Sequence, residues 1–423
     1  MTRYVFITII LFAGIFFSCK KISVSQNHGD AEWVKVITDA SVFFPGKMRA
    51  DAQNNLYCSY NYTDYEIDSN SAVIKLDSKG NILWRRSFAD TTIYDFVVTP
   101  EGKIVIPIYS NGMITLIELD PAGNIISSGN PYVLPFNAAD IDEIVTLKIF
   151  IEADVGYYNL SGTILYNLNF PNERVGFMME FDNNFNGGWK RPYFFANPRT
   201  VITGCAETDD GYLLFGNIQF KNTNTSEVFT LKTDAGGNKI GAIKEYSTSA
   251  FNAANDPPYS GFYCNTSDII RAGNKFYACA YNELYNVPTI SSPPVYADDD
   301  NSARIYTFDS DGNKMGDPKT LKYDIQNLVA DLVLTKDSGL LIGLNPVTLV
   351  GIGYVGRQSS YVARLNSDLS IQSVSNIQTN YKDYLGSICA MPDGTYAIET
   401  MIQSFGEEHY RLEVIKTDVN GNF

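Results

Sequence analysis

Few residues in this 423-residue chain have the type and spacing to do chemistry, and most of those fail on inspection. There are two histidines, His28 and His409, too few for a zinc centre built on imidazoles. A serine–histidine–acid triad would have to use His409, and no Gly-x-Ser-x-Gly elbow presents a nucleophile. "DSDGNKMGD" from Asp309 is rich in oxygen ligands. A twelve-residue calcium loop, however, needs glycine sixth and a carboxylate twelfth, and Gly312 comes fourth. "ADDDN", with Asp298 to Asp300, reads as a solvated acidic loop. What remains is a set of acids at repeated places. Asp95, Asp154, Asp268 and Asp331 open "DFVV", "DVGY", "DIIR" and "DLVL", while Lys47, Gly204 and Ser387 take the matching places elsewhere. Such a set either caps backbone N–H groups of neighbouring connections or converges as a negative funnel for a cation or cationic ligand group.

The elements that must position these acids are announced by turns. Asp-x-x-Gly-Asn occurs at Asp77, Asp120, Asp234, Asp309 and Asp418, with degraded copies "DNNFN" at Asp182 and "NSDLS" at Asn366. Each follows a short apolar run such as "AVIKL" or "LEVIKT". The chemistry suits a hairpin, because Asp accepts a hydrogen bond from the backbone two residues on and Gly supplies positive φ. A second family of turns alternates with the first: "DAQNNLYCSY", "TPEGKIVIPI", "NLSGTILYNL", "TDDGYLLFGN", "RAGNKFYACA", "TKDSGLLIGL" and "MPDGTYAIET". Seven turns of each kind imply seven four-stranded antiparallel units, the pattern of an all-β, seven-bladed β-propeller.

With the strands of a blade named A to D, the Asp-x-x-Gly-Asn turn joins C to D. The chain nevertheless ends "RLEVIKTDVNGNF", with a turn and only Phe423 after it. At the other end "EWVKVI", Glu32 to Ile37, is a strand with no A, B or C before it. The expectation is that it pairs antiparallel with 411–417, completes the last blade and closes the ring, leaving no free blade edge. Because A is innermost and starts on the long-loop face, the four acids are expected at the channel mouth or the seams between blades.

Length variation concentrates at B–C connections (61–71, 221–227, 283–302, 345–359) and D–A connections (128–153, 247–265). Both kinds lie at one end of a four-stranded meander, so the elaboration falls on one face, where binding usually resides. These segments carry Tyr62, Tyr65, Tyr259, Tyr263, Tyr285 and Tyr296. Exposed tyrosines would suit sugars, peptides or proteins, and buried ones would pack the loops onto the disc.

The N-terminus supplies an address. "MTRYVFITIILFAGIFFSCKK" has Arg3, an apolar run from Tyr4 to Phe17 that is short for a bilayer span, then Ser18-Cys19. "FFSC" resembles the lipobox of bacterial lipoproteins, although Phe17 departs from the usual form. The resemblance implies a signal peptide over 1–18, lipidated Cys19, a tether over 19–30 and one propeller domain over 31–423. An ordinary signal peptide with an incidental Cys is the other reading. Lys20 and Lys21 stand where surface-displayed lipoproteins of some Gram-negative lineages are acidic, so the leaflet stays open. The turns themselves resemble the loose Asp-x-x-Gly-x turns of several bacterial propeller families, quinoprotein-like ones included, but no cofactor ligands carry over and none is expected.

Lys plus Arg number 32 against 47 Asp plus Glu, a net charge of −15, which disfavours nucleic acid. Beyond Cys19 there are Cys58, Cys205, Cys264, Cys279 and Cys389, read as buried small hydrophobes, with Cys264 and Cys279 the pair to test for a disulfide. The expected function is a monomeric, non-enzymatic binding or scaffolding propeller, lipid-anchored in the outer membrane, for a glycan, peptide or protein on its long-loop face. The alternative is an envelope polysaccharide hydrolase or lyase on the same scaffold, which a paired-carboxylate site would favour.

Overall fold

The computed structural model describes residues 31–423 except 64–68, 138–139, 153–155, 167–172, 196–199, 220–225, 248–260, 286–302, 322–326, 347–359, 378–381 and 404–409. The chain forms seven four-stranded antiparallel blades arranged in a ring. The A strands are the second half of Trp33–Ala50 in blade 1, Val97–Val98 in blade 2, Ile141–Ile151 in blade 3 and Thr200–Glu207 in blade 4. Those of blades 5, 6 and 7 are Gly261–Ala272, Asn327–Leu334 and Lys382–Ala390. Blade 2 carries an extra segment, Tyr132–Val133, on its C strand. Among the described residues no helix is long and apolar enough to cross a membrane.

Closure follows the expected route. Trp33–Ala50 is one long strand shared by two blades. Its first half pairs with the C strand of blade 7, Tyr410–Lys416, in the register Trp33↔Lys416 to Ile37↔Leu412. Its second half pairs with Leu56–Thr63 of blade 1. The edge that 410–416 would otherwise expose is covered by residues from the opposite end of the chain. Lys416 strengthens the join, with Glu32 at 2.9 Å on the arriving strand and Asp393 at 2.8 Å.

The C–D turns are held by their own side chains. In the first, Asp77 Oδ1 accepts the N–H groups of Lys79 (2.9 Å) and Asn81 (2.8 Å), and Oδ2 accepts Asn81 Nδ2 (2.9 Å). Asp120, Asp309 and Asp418 accept the same set. The degraded copy at Asp182 keeps these bonds, although Phe185 must then take φ 63°, a conformation that disfavours a side chain. Glycine has a second reason at this place. Each tryptophan lies on a D strand against the glycine of the next blade's turn. A Cβ on Gly80 would meet the Trp33 ring at 2.7 Å, one on Gly123 the Trp84 ring at 2.7 Å, and one on Gly237 the Trp189 ring at 2.3 Å. Trp33 and Trp84 also donate Nε1–H to the carbonyls of Ser78 and Pro121, both at 2.9 Å.

Blade 3 departs from expectation. "NLSG", the expected A–B turn, lies inside the B strand Tyr158–Tyr166, paired on both sides and almost wholly buried. The A–B turn is instead Glu152 to Tyr157, closed by Glu152 N–H to the Tyr157 carbonyl at 2.8 Å. Cys279 is a free, buried thiol, so it forms no disulfide with Cys264. Burial pushes the thiols of Cys58, Cys205, Cys279 and Cys389 up, out of the reactive range.

Candidate functional site: the central channel

Each A strand is the inner edge of its blade, and neighbouring A strands contact one another all round the ring, from blade 1 to 2 and on to 7 and 1. An edge strand has N–H groups with no partner strand, so the channel wall must find acceptors for them. The A–B turns fix the register. Counting back four residues from their first residues, Asp51, Thr99, Glu152, Thr208, Ala272, Thr335 and Met391, gives one position per blade. These are Lys47, Asp95, Lys148, Gly204, Asp268, Asp331 and Ser387.

Six of the seven agree with the sequence alignment. The seventh does not. Asp154 comes after the A strand of blade 3 and falls outside the described residues, and the channel position belongs to Lys148. The cause is the misplaced A–B turn, which slid the alignment past the end of the strand. The depth also differs from expectation. In blades 6 and 7 the position lies midway along the A strand, at a β-bulge between Val329 and Asp331 and between Leu385 and Ser387. The ring is therefore at mid-channel rather than at the mouth, and Asp95 and Asp331 bond across the seams between blades, the other place expected for them.

Three carboxylates meet three cations here. Arg49 donates to Asp95 at 2.7 Å, Lys148 to Asp268 at 3.0 Å, and Lys47 Nζ lies 3.5 Å from Asp331. The two lysines each span two blades. Lys148 of blade 3 reaches blade 5 across Gly204, and Lys47 of blade 1 reaches blade 6 across Ser387. Small residues at those two places leave the room. A Cβ on Gly204 would fall 2.5 Å from Ile269 N and 2.7 Å from Asp268 Oδ1.

The carboxylates also serve the exposed backbone. Oδ1 of Asp95, Asp268 and Asp331 each accepts the N–H of the following residue, at 2.9, 2.9 and 3.0 Å. Asp95 Oδ2 accepts Ile149 N–H of blade 3 at 3.3 Å. Asp331 Oδ2 accepts Ile388 N–H (3.1 Å) and the Ser387 hydroxyl (2.8 Å) of blade 7. Ser387 Oγ in turn accepts Met48 N–H of blade 1 at 3.3 Å. These bonds connect blade 6 to 7, 7 to 1, and 2 to 3, and Arg49 connects 1 to 2. The arrangement matches the capping role weighed for the acids. A net-negative funnel does not form, because three cations balance the three described acids.

Burial alone would raise the Asp331 carboxyl, but Lys47, Lys148 and the bonds from Ser387 and Ile388 hold it below the usual range. Burial pulls the Lys47 ammonium down, with Asp331 opposing and Lys148 adding to the fall. Burial acts on Lys148 too and is the largest single influence, but Asp268, Asp95 and Asp331 together outweigh it and keep that lysine high. Arg49, Lys148 and their pairings were not anticipated from sequence. Counting back from the true A–B turn would have located Lys148.

The tyrosines fare differently. Tyr62 is buried, its ring 5.9 Å from that of Tyr60 with the Arg85 guanidinium 5.0 Å above it, so it packs the blade. Tyr65, Tyr259 and Tyr296 lie outside the described residues, as do His28, His409 and Cys19. The backbones of Tyr263 and Tyr285 run in strands Gly261–Ala272 and Lys275–Tyr285, and their side chains lie outside the described set. Among the described residues no group of three His, Cys, Asp or Glu could hold a metal.

No protein-family model and no curated protein matches the sequence. Solved structures match it in shape. The polysaccharide lyase Uly1 aligns with a TM-score of 0.57 at 8% identity, over 92% of this chain and 100% of that one. A protein of unknown function from Dyadobacter fermentans aligns at 0.47 with 9% identity, over 91% and 99%. The β-propeller domain of the Trilobed protease from Pyrococcus furiosus aligns at 0.45 with 10% identity, over 91% and 98%. At these identities the likeness is one of fold, and fold does not choose an activity.

Proposed function

We propose that the chain is a lipid-anchored cell-envelope protein of the outer membrane whose propeller binds or scaffolds a glycan, peptide or protein on one face. One observation carries the binding reading. The A–B and C–D ends of the strands are closed mostly by tight hydrogen-bonded turns. The long intervals, 129–140, 248–260, 286–302 and 347–359, all join the opposite strand ends. A scaffold with its longest connecting segments at one end is the usual layout of a binding surface. The channel supports the same reading, since its described carboxylates are engaged in joining blades instead of standing as an isolated acid–base pair. The anchor rests on the apolar run 4–17 and Cys19.

Two experiments test this. Cys19→Ser is expected to move the protein from the membrane to the soluble fraction. Wild type that washes off with salt and carries no acyl chain would refute the anchor. Full-length protein in detergent is expected to retain specific glycans or envelope proteins on arrays and in pull-downs, without altering them. The shape shared with a polysaccharide lyase keeps one other reading alive. Release of unsaturated oligosaccharide from an envelope polysaccharide would favour it and overturn the non-enzymatic one.

A further inference from the structure

The hydrogen-bonding capacity of the mid-channel ring is unevenly spent. Both oxygens of Asp95 and of Asp331 are engaged, and those carboxylates are nearly sealed from solvent. The lysines are not so occupied. Among the described residues Lys148 Nζ makes one hydrogen bond, to Asp268, and Lys47 Nζ makes none, approaching Asp331 only to 3.5 Å. An ammonium has three donors. The unspent capacity facing the channel is thus donor capacity, and both lysine side chains keep some exposure, 17% and 14%. Lys148 acts on Lys47, both act on Asp331, and the acids they approach, Asp331 and Asp268, belong to the adjacent blades 6 and 5.

We propose that this ring binds a single carboxylate group of a ligand, one oxygen toward Lys47 and the other toward Lys148. Charge sets the class. Three acids and three cations sum to zero, so one added negative charge is met by under-used donors. A dianion such as phosphate would bring a second charge beside three carboxylates with no further cation to meet it. Two-oxygen geometry favours carboxylate over a spherical anion, because each ammonium can then donate along its own hydrogen bond. Burial of Lys47, with Lys148 acting on it, fits the same picture, since a nearby anion would relieve a poorly compensated cation. The inference names a ligand class for the binding reading above and rests on it, but its test is separate.

The test labels lysines in the full chain in detergent with trace acetic anhydride and quantifies each site by mass spectrometry. Acetate is the probe, acetamide the neutral control, chloride the spherical one, and exposed Lys79 the reference lysine. Acetate is expected to slow acylation of Lys47 and Lys148 saturably and to leave Lys79 unchanged. Lys148→Met should raise the acetate concentration for half-protection of Lys47 about tenfold, the loss of one charged hydrogen bond. Absent protection, equal protection by acetamide or chloride, or an unchanged midpoint in Lys148→Met would overturn the proposal. The wild-type arms decide the matter even if the variant folds poorly. Failed arrays with protected lysines would sink the envelope-binding reading alone, and the converse would sink the carboxylate site alone.

Discussion

Glu399 offers the sharpest test of how the ring is closed. It stands in the B strand of blade 7, opposite Ser387 and Val414, and is fully buried. Ala397 and Met401, two residues to either side, pack with Met48, Leu56 and Cys58 of blade 1. Neither carboxyl oxygen has a full hydrogen-bond partner among the described residues. Burial pushes the group up from 4.5 to about 8, with Gly46 and Lys47 opposing and Asp331 adding. Neutral in the fold, it is ionised in the unfolded chain above pH 4.5. Its proton therefore costs nothing below 4.5, and stability falls as pH rises toward the folded value, then levels off. The fall is about 1.4 kcal/mol per pH unit, about 5 kcal/mol in all, an upper figure because water reaching an ionised carboxylate would relieve part of it. Against a typical total of about 5–15 kcal/mol this is large. Glu399→Gln keeps the shape and loses the titration. Urea midpoints at pH 5, 6.5 and 8 should show the variant within about 1 kcal/mol of wild type at pH 5 and about 3–5 kcal/mol more stable at pH 8. A difference that does not change with pH would refute the reasoning.

Other perturbations address the ring and its seams. Gly204→Ala places a methyl 2.5 Å from a backbone nitrogen that cannot retreat. It should cost about 1–3 kcal/mol by urea titration, and an unshifted midpoint counts against the close approach. Asp331→Asn removes the carboxylate nearest Lys47 and should cost about 3–5 kcal/mol at neutral pH. Because Asp331 is held low, its contribution is present above pH 3.8 and lost as pH falls through the folded value, so wild type and variant should converge in acid. Parallel acid curves would contradict this. Deleting 31–38 uncovers the 410–416 edge and takes Trp33 off Gly80, and it is expected to abolish the cooperative melt seen by circular dichroism. An unchanged melting temperature would refute strand closure.

Turn chemistry made the blade count legible because it is local. Asp77 or Asp418 satisfies its own loop, so the signal needs no knowledge of the rest of the ring. The closure was legible for the opposite reason, since two incomplete ends have one way to complement each other. Asn159 to Gly162 misled because turn-like composition there is overruled by burial. Asn159, Ser161 and Thr163 are fully buried strand residues, and Gly162 is glycine because a Cβ would lie 2.3 Å from the Thr146 carbonyl. The cations of the channel left no sequence signal of their own. Lys148 and Asp268 are 120 residues apart, and only the ring brings them together.

The ring also explains why acids and cations should share the channel. Seven inner edges present N–H groups to a narrow space, and carboxylates or hydroxyls are the side chains that can accept them. Asp95, Asp331 and Ser387 do this across three seams. Carboxylates gathered so closely would repel one another, and Arg49, Lys47 and Lys148 remove that cost, the two lysines reaching over blades whose own channel residue is small. The two functions of the ring then differ in what they consume. Joining blades uses up the acceptors, whereas balancing charge leaves ammonium donors in hand, so the scaffold's own solution to its inner edges creates the surface on which a carboxylate can be held.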